Sequence, residues 1–187
     1  MKKIPVYLGG YCSIGKNALA VRLSQVLNEK GFLSRPIQDP ADVVFRKYFG
    51  ITLPRSLAAR IFVSQPHEFF KASMDYLETF EAAAKEEKLA IVAESPSLAF
   101  SHALFFGVSV YWSTEEKELF WQKSMRLLRK GVHFLVQGWC HTKENTLRWE
   151  MQRLFLKGRT NVKIIGPYSS YQEIQEKGLK DILEVIL

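Results

Sequence analysis

The sequence predicts an α/β fold: a three-layer sandwich with a five-stranded parallel sheet flanked by helices, in one domain over residues 1–187. Three observations carry this. Five short apolar runs recur along the chain, each followed by a segment of helical periodicity. The first run is continuously apolar rather than alternating, as strands covered on both faces are. The breaks fall at glycine, proline or serine-led caps.

In order, "IPVYLGG" (4–10) is the first strand, closing on two glycines. "NALAVRLSQVLNEKG" (17–31) is a helix, with Ala18, Leu19, Val21, Leu23, Val26 and Leu27 near helical spacing and Gly31 as its stop. "FLSRPIQ" (32–38) is the second strand and turns at Asp39-Pro40. Residues 41–88 read as helical, interrupted at Gly50 and Pro54, with Pro66 opening a long helix. Its aromatics Phe69, Phe70, Tyr76 and Phe80 are assigned to the core, as are Phe120 and Trp121 further on. "LAIVAE" (89–94) is the third strand and ends on a carboxylate; a turn at Ser95-Pro96 leads to a short helix around 97–106. Ser113-Thr114-Glu115-Glu116 is a capping box for a helix that runs to Gly131. "VHFLVQG" (132–138) is the fourth strand, residues 143–158 a helix ended by Gly158, and "NVKIIG" (161–166) the fifth strand. Ser170-Tyr171-Gln172-Glu173 caps the last helical segment.

Composition narrows the function. At 187 residues, 47% hydrophobic and 24% charged, the chain reads as a soluble globular domain. No apolar run is long enough to span a bilayer, so no membrane partner is expected. The stretch after Lys2-Lys3 is short and broken by glycines, which argues for a buried strand over a targeting segment. Cys12 and Cys140 form no CxxC pair, which argues against a zinc site and a disulfide scaffold and leaves a cytoplasmic location as the expectation. Cys140-His141 reads as structural, because adjacent residues rarely face one another. The net charge is +7, with Lys123, Arg126, Arg129 and Lys130 clustered on one helix. That cluster reads as a solvated face, and nucleic acid is not the expected partner.

Four stretches could carry chemistry. Gly10-Tyr11-Cys12-Ser13-Ile14-Gly15-Lys16 has the spacing of a phosphate-binding loop. Its glycines free backbone N–H groups to face an anion, the following helix adds its positive end, and Lys16 reaches the phosphates. The next residue is Asn17, where a hydroxyl is usual. Glu94 ends the third strand, facing the crevice where open sheets bind ligands. Asp39 ends the second; locally it reads as a turn residue before proline, and Asp42 could cap the next helix. Arg153, Lys157 and Arg159 close a late helix, where basic groups suit either a phosphate or the helix dipole.

In this order the stretches resemble the deoxynucleoside kinase and thymidylate kinase group of P-loop kinases, over most of the chain. "LGGYCSIGKNALAVRLSQVL" is similar to the group's first strand, loop and helix, and "RPIQDPAD" to the second-strand end that carries its base. "LAIVAESPSLAFSHALFF" is similar to its strand ending in an acid, and "LRWEMQRLFLKGR" to the helix leading into its arginine lid. The resemblance implies a P-loop NTPase fold with ATP and Mg2+ as cofactors and γ-phosphoryl transfer to a nucleoside or nucleoside monophosphate. It implies that Gly10, Cys12, Ser13, Ile14, Gly15, Lys16 and Asn17 hold the nucleotide and that Asn17 and Glu94 hold the metal. It further implies Asp39 as base, Lys16 with Arg153 or Arg159 on the transferred phosphate, and Gln65 or Arg60 as candidates for base recognition. Members of the group often dimerise, and the helices around 66–88 and 114–130 are candidates for such a face. Three departures stand out: Asn17, Ser95 in place of an arginine, and a lid that runs almost directly into the last strand. Two readings follow, an active kinase and a nucleotide- or partner-binding module without turnover.

Overall fold

The computed structural model describes residues 4–11, 14–50, 61–105, 107–139 and 143–187; Cys12, Ser13, Arg60, Cys140 and His141 lie outside them. Five strands form one sheet in the order β2-β3-β1-β4-β5: β1 Val6–Gly10, β2 Ser34–Ile37, β3 Leu89–Val92, β4 Val132–Val136 and β5 Val162–Ile165. Every pairing is parallel. Among the described residues the helices are α1 Lys16–Glu29, α2 Ala41–Phe49, α3 Pro66–Ala83, α4 Ser97–Phe105, α5 Thr114–Leu128 and α6 Lys143–Leu156. The chain closes with Tyr171–Glu173, a π-helical turn Ile174–Gly178 and α7 Leu179–Ile186. The three-layer α/β reading is therefore the observed fold.

The period of two along β1 sorts its side chains between two cores. Val6 and Leu8 join one face with Leu19, Leu23 and Leu27 of α1 and Ile182 of α7. Tyr7 joins the other with Phe69, Tyr76 and Phe80 of α3 and Phe120 of α5. Trp121 departs from the expectation: it is 46% exposed, because the helix turns it away from the side that buries Phe120. Val21 is likewise at the surface, the buried stripe of α1 being Leu19, Ala20, Leu23, Ser24 and Leu27.

The basic residues of α5 have a structural partner. Lys123 Nζ lies 2.9 Å from Glu78 and 3.7 Å from Glu81, and Arg126 pairs with Glu81. Two of the four cations thus clamp α5 to α3 instead of forming an open stripe. The capping box holds as written, with Glu116 N–H donating to Ser113 Oγ at 3.1 Å and Ser113 N–H to Glu116 Oε2 at 2.8 Å. No described helix is long and apolar enough to cross a membrane.

Sheet order decides where a ligand can sit. From β1 the chain passes to β2 and β3 on one side, then crosses to β4 and β5 on the other. The crossovers diverge at the carboxyl end of β1, which opens the crevice in which such sheets bind ligands.

Candidate functional site

At that point β1 runs out through Gly10 (φ 113°), and α1 begins after Gly15 (φ 87°), whose left-handed backbone favours glycine. The turn is anchored on both flanks. Tyr11 N–H donates to Val136 O at 3.1 Å, continuing the β1–β4 pairing, and Ile14 is fully buried. Gly138 lies against Ile14, so closely that a Cβ there would meet its Cγ2 at 2.8 Å. From the far end of the chain, Gln175 Nε2 donates to Gly15 O at 3.1 Å and the Tyr171 ring covers Gly15.

α1 starts with no side-chain cap and no acidic residue in its first turn, which leaves the positive end of the helix without a counter-charge from its own sequence. Lys16 is only 7% exposed; its Nζ donates to Tyr11 O at 2.6 Å and pairs with Glu94 Oε2 at 3.1 Å. Glu94, 1% exposed, sits just beyond β3, and its Oε1 accepts Ser95 N–H at 3.0 Å. Asn17 Oδ1 accepts Asp39 N–H at 3.0 Å, and Asp39 Oδ1 accepts Ala41 N–H at 2.9 Å. The latter is the turn that local sequence indicated, at the start of α2; the side chain of Asp42 lies outside what is described. The Asp39 carboxylate is near enough to raise the proton affinity of Glu94. Lys16, Asn17, Asp39 and Glu94 therefore converge at the end of β1, as expected.

The arginines do not. Arg153 leaves the outer side of α6 and pairs with Glu150 Oε2 at 2.7 Å. Arg159 follows the end of α6, where its guanidinium donates to Met125 Sδ at 3.3 Å and covers the Phe155 ring. It precedes β5, whose Val162 pairs with His133 next to the start of β4. That is the opposite end of the sheet from Gly10, roughly 10–13 Å along the strands. The physical reason is the missing lid: α6 runs antiparallel to the sheet and returns directly into β5, so its carboxyl end faces away from the loop. Gln65 stands immediately before α3 with an exposed side chain.

Other residues hold the site and were not singled out from sequence. Gln152 of α6, 1% exposed, accepts Gly10 N–H at 3.3 Å and donates to Gly10 O at 3.4 Å. It thereby serves the strand end that β3 no longer pairs. Its Oε1 also accepts the Ser97 hydroxyl at 3.1 Å. Ser97 lies 3.0 Å from Ser95 Oγ, which is 3.2 Å from His133 Nδ1, and His133 Nε2 donates to Lys130 O at 3.1 Å. Ser95, an outlier against the resemblance, is thus a member of a buried polar chain ending at the loop. One turn before Gln152, Arg148 is 4% exposed with Nη1 3.0 Å from His102 Nε2, and Trp149 stacks on Tyr11 at 5.3 Å. The only available signal was the polar spacing of Arg148 and Gln152 on a face otherwise apolar through Trp149 and Leu156.

Burial moves two of these groups in opposite directions. Glu94 is pushed up to about 7 from an ordinary 4.5, chiefly by burial, against the pull of Lys16. His133 is pushed down to about 4 from 6.5, again chiefly by burial. Between pH 4.5 and 7 folded Glu94 holds a proton that the unfolded chain releases, so its contribution to stability falls as pH rises. Between pH 4 and 6.5 the unfolded chain takes up a His133 proton that the folded chain refuses, so stability rises with pH. The two slopes oppose. Glu94→Gln is expected to steepen the rise of the urea midpoint with pH, and His133→Gln to expose a fall; parallel profiles for all three proteins would refute both assignments.

No family model matches the chain, and no curated protein matches it. Among solved structures it is similar to the APS kinase of Mycobacterium tuberculosis in complex with AMPPNP and APS, at 14% identity and a TM-score of 0.45, over 99% of this chain and 98% of that one.

Proposed function

We propose that the chain binds a nucleoside triphosphate, ATP in the first instance, through its phosphates at the β1–α1 loop, in a site of P-loop kinase type. The observation that carries this is the placement of Lys16. A buried cation stands at the uncapped start of α1, at the point where the sheet order opens a crevice, with Asp39 and Glu94 beside it. In the kinase form of the reading the acceptor is a nucleoside or nucleoside monophosphate. The acceptor oxygen, a hydroxyl of the nucleoside or a phosphate oxygen of the monophosphate, attacks the γ-phosphorus, the bond to the β–γ bridging oxygen breaks and the nucleoside diphosphate leaves; where the attacking group is a hydroxyl, its proton passes to Asp39. Lys16 turns from Glu94 to the phosphate oxygens.

A second reading, binding without turnover, is favoured by the positions of Arg153 and Arg159, neither of which reaches the loop. The two separate in one experiment. Titration calorimetry with ATP is run on the wild type and on Lys16→Met, which keeps the aliphatic stem, alongside a phosphoryl-transfer assay over nucleosides and nucleoside monophosphates. Loss of Lys16 is expected to weaken ATP by about 100-fold, near 3 kcal/mol, in line with a charge-assisted contact inside a buried site. Equal affinity in the two proteins would sink both readings. Transfer to a panel member selects the kinase, and binding alone selects the module. The helices α3 and α5 are kept as candidates for a homodimer face, and a membrane or nucleic-acid partner forms no part of this reading.

A further inference from the structure

Gly15 closes the loop and opens α1, and its carbonyl oxygen has two partners. Leu19 N–H donates to it at 3.0 Å as the first bond of the helix, and Gln175 Nε2 donates to it at 3.1 Å. A carbonyl can only accept, so the Gln175 amide is fixed with its NH2 toward Gly15. Its other atom, Oε1, is then buried with no hydrogen-bond partner among the described residues, and Gln175 as a whole is 4% exposed. For stability alone that is a poor use of a buried position. Leu19 N–H already serves the Gly15 carbonyl, while the amide brings in an acceptor that no described residue satisfies. The segment does not need this bond as an anchor, because Ile174 and Ile182 are fully buried in the same core as Leu19 and Leu23 of α1. What the amide does that an apolar side chain cannot is fix the direction of Gly15 O.

That direction decides how the start of α1 faces the loop. The Gly15–Lys16 peptide is planar and trans, so the Lys16 N–H points opposite to Gly15 O. With the oxygen held by Leu19 from inside the helix and by Gln175 from the end of the chain, the N–H edge is turned out of the helix, toward the loop. The same peptide sets where the Lys16 side chain leaves the backbone. Gly15 is the residue of this turn least restrained by its own chemistry, with a left-handed φ of 87°. The Tyr171 ring packs against its Cα, where a Cβ would stand 2.5 Å from Cε2. Resting on the nucleotide reading above, we propose that Gln175 is a positioning residue for phosphate binding. From its π-helical turn it sets the Gly15–Lys16 peptide so that the start of α1 faces the phosphates of the nucleotide. Gln175 touches the loop and acts on the ligand only through it.

The test is calorimetry with ATP and with inorganic tripolyphosphate on the wild type, Gln175→Met and Gln172→Met, with urea unfolding of each protein. Methionine keeps the length and bulk of glutamine and removes both polar atoms of the amide. Gln172 is exposed and donates to Glu176 Oε1 at 2.9 Å, so its variant controls for a change in the same segment. Gln175→Met is expected to keep or raise the urea midpoint, since the buried Oε1 is removed with the amide. Its affinity for ATP is expected to fall about tenfold, roughly 1.4 kcal/mol, and its affinity for tripolyphosphate by the same factor. Gln172→Met is expected to match the wild type throughout. Gln175→Met binding both ligands within about twofold of the wild type overturns the proposal and leaves the nucleotide reading standing. A lowered urea midpoint or an insoluble protein overturns it as well, because the bond is then structural. So does weaker ATP with unchanged tripolyphosphate, which would put the effect at the base or ribose. Wild-type protein that binds neither ligand overturns the proposal together with the reading beneath it.

Discussion

Gly10→Ala is expected to abolish stable folding, not merely ligand binding. A Cβ at Gly10 would stand 2.3 Å from Val136 O and 2.7 Å from Val136 N, both backbone atoms of the paired strand β4. Neither can move without unzipping the centre of the sheet, and the φ of 113° already disfavours any L side chain. The combined cost exceeds about 4 kcal/mol, a large part of the roughly 5–15 kcal/mol that a domain of this kind has in total. Gly31→Ala is the matched control. Its φ is 86°, yet nothing lies within 4 Å of its would-be Cβ, so backbone strain alone applies, about 1–2 kcal/mol. Urea unfolding of both variants checks the pair. A soluble Gly10→Ala protein no less stable than Gly31→Ala would mean that the β1–β4 junction is looser than the structure shows.

The second large effect belongs to Gln152→Leu. The amide serves both backbone groups of Gly10 and the Ser97 hydroxyl, three polar groups in a buried setting. Leucine fills much of the same volume and leaves them without this partner, at about 1–3 kcal/mol each before relaxation. A loss of about 3–5 kcal/mol is expected in the urea midpoint, with faster hydrogen exchange at Gly10 and Tyr11. A variant within about 1 kcal/mol of the wild type would show that water or a neighbour replaces the amide at little cost.

The architecture was legible in the sequence because its signals are local. Continuous apolar runs, terminal glycines and the Ser113 and Ser170 caps each depend on a few neighbouring residues, and the strands they marked are the strands observed. The convergence of Lys16, Asn17, Asp39 and Glu94 was legible for a related reason: parallel strands bring their carboxyl ends to one side, so residues that end strands meet. Hydrogen-bond direction was not legible. Nothing in "GKN" says that the Asn17 oxygen would be claimed by Asp39 N–H. Gln152, and the bonding role of Ser95, escaped for a different reason: Gly10 is 142 residues from Gln152 and His133 is 38 from Ser95, and a polar residue on a buried face resembles a surface residue until the tertiary contacts exist. Arg153 and Arg159 were misplaced because a basic helix end reads the same whether that end faces the ligand or the base of the sheet.

The clasp that Tyr171 and Gln175 place on Gly15 has a consequence for biosynthesis. The two sides of the Gln175–Gly15 bond are 160 residues apart, so the turn is made long before the residue that clasps it. While the chain is being translated, β1 and α1 can emerge and the early strands can begin to assemble, but the carbonyl of Gly15 has no Gln175 to receive until the final helical segment is made. Whatever order the clasp gives the Gly15 turn is therefore acquired only after Gln175 has been made.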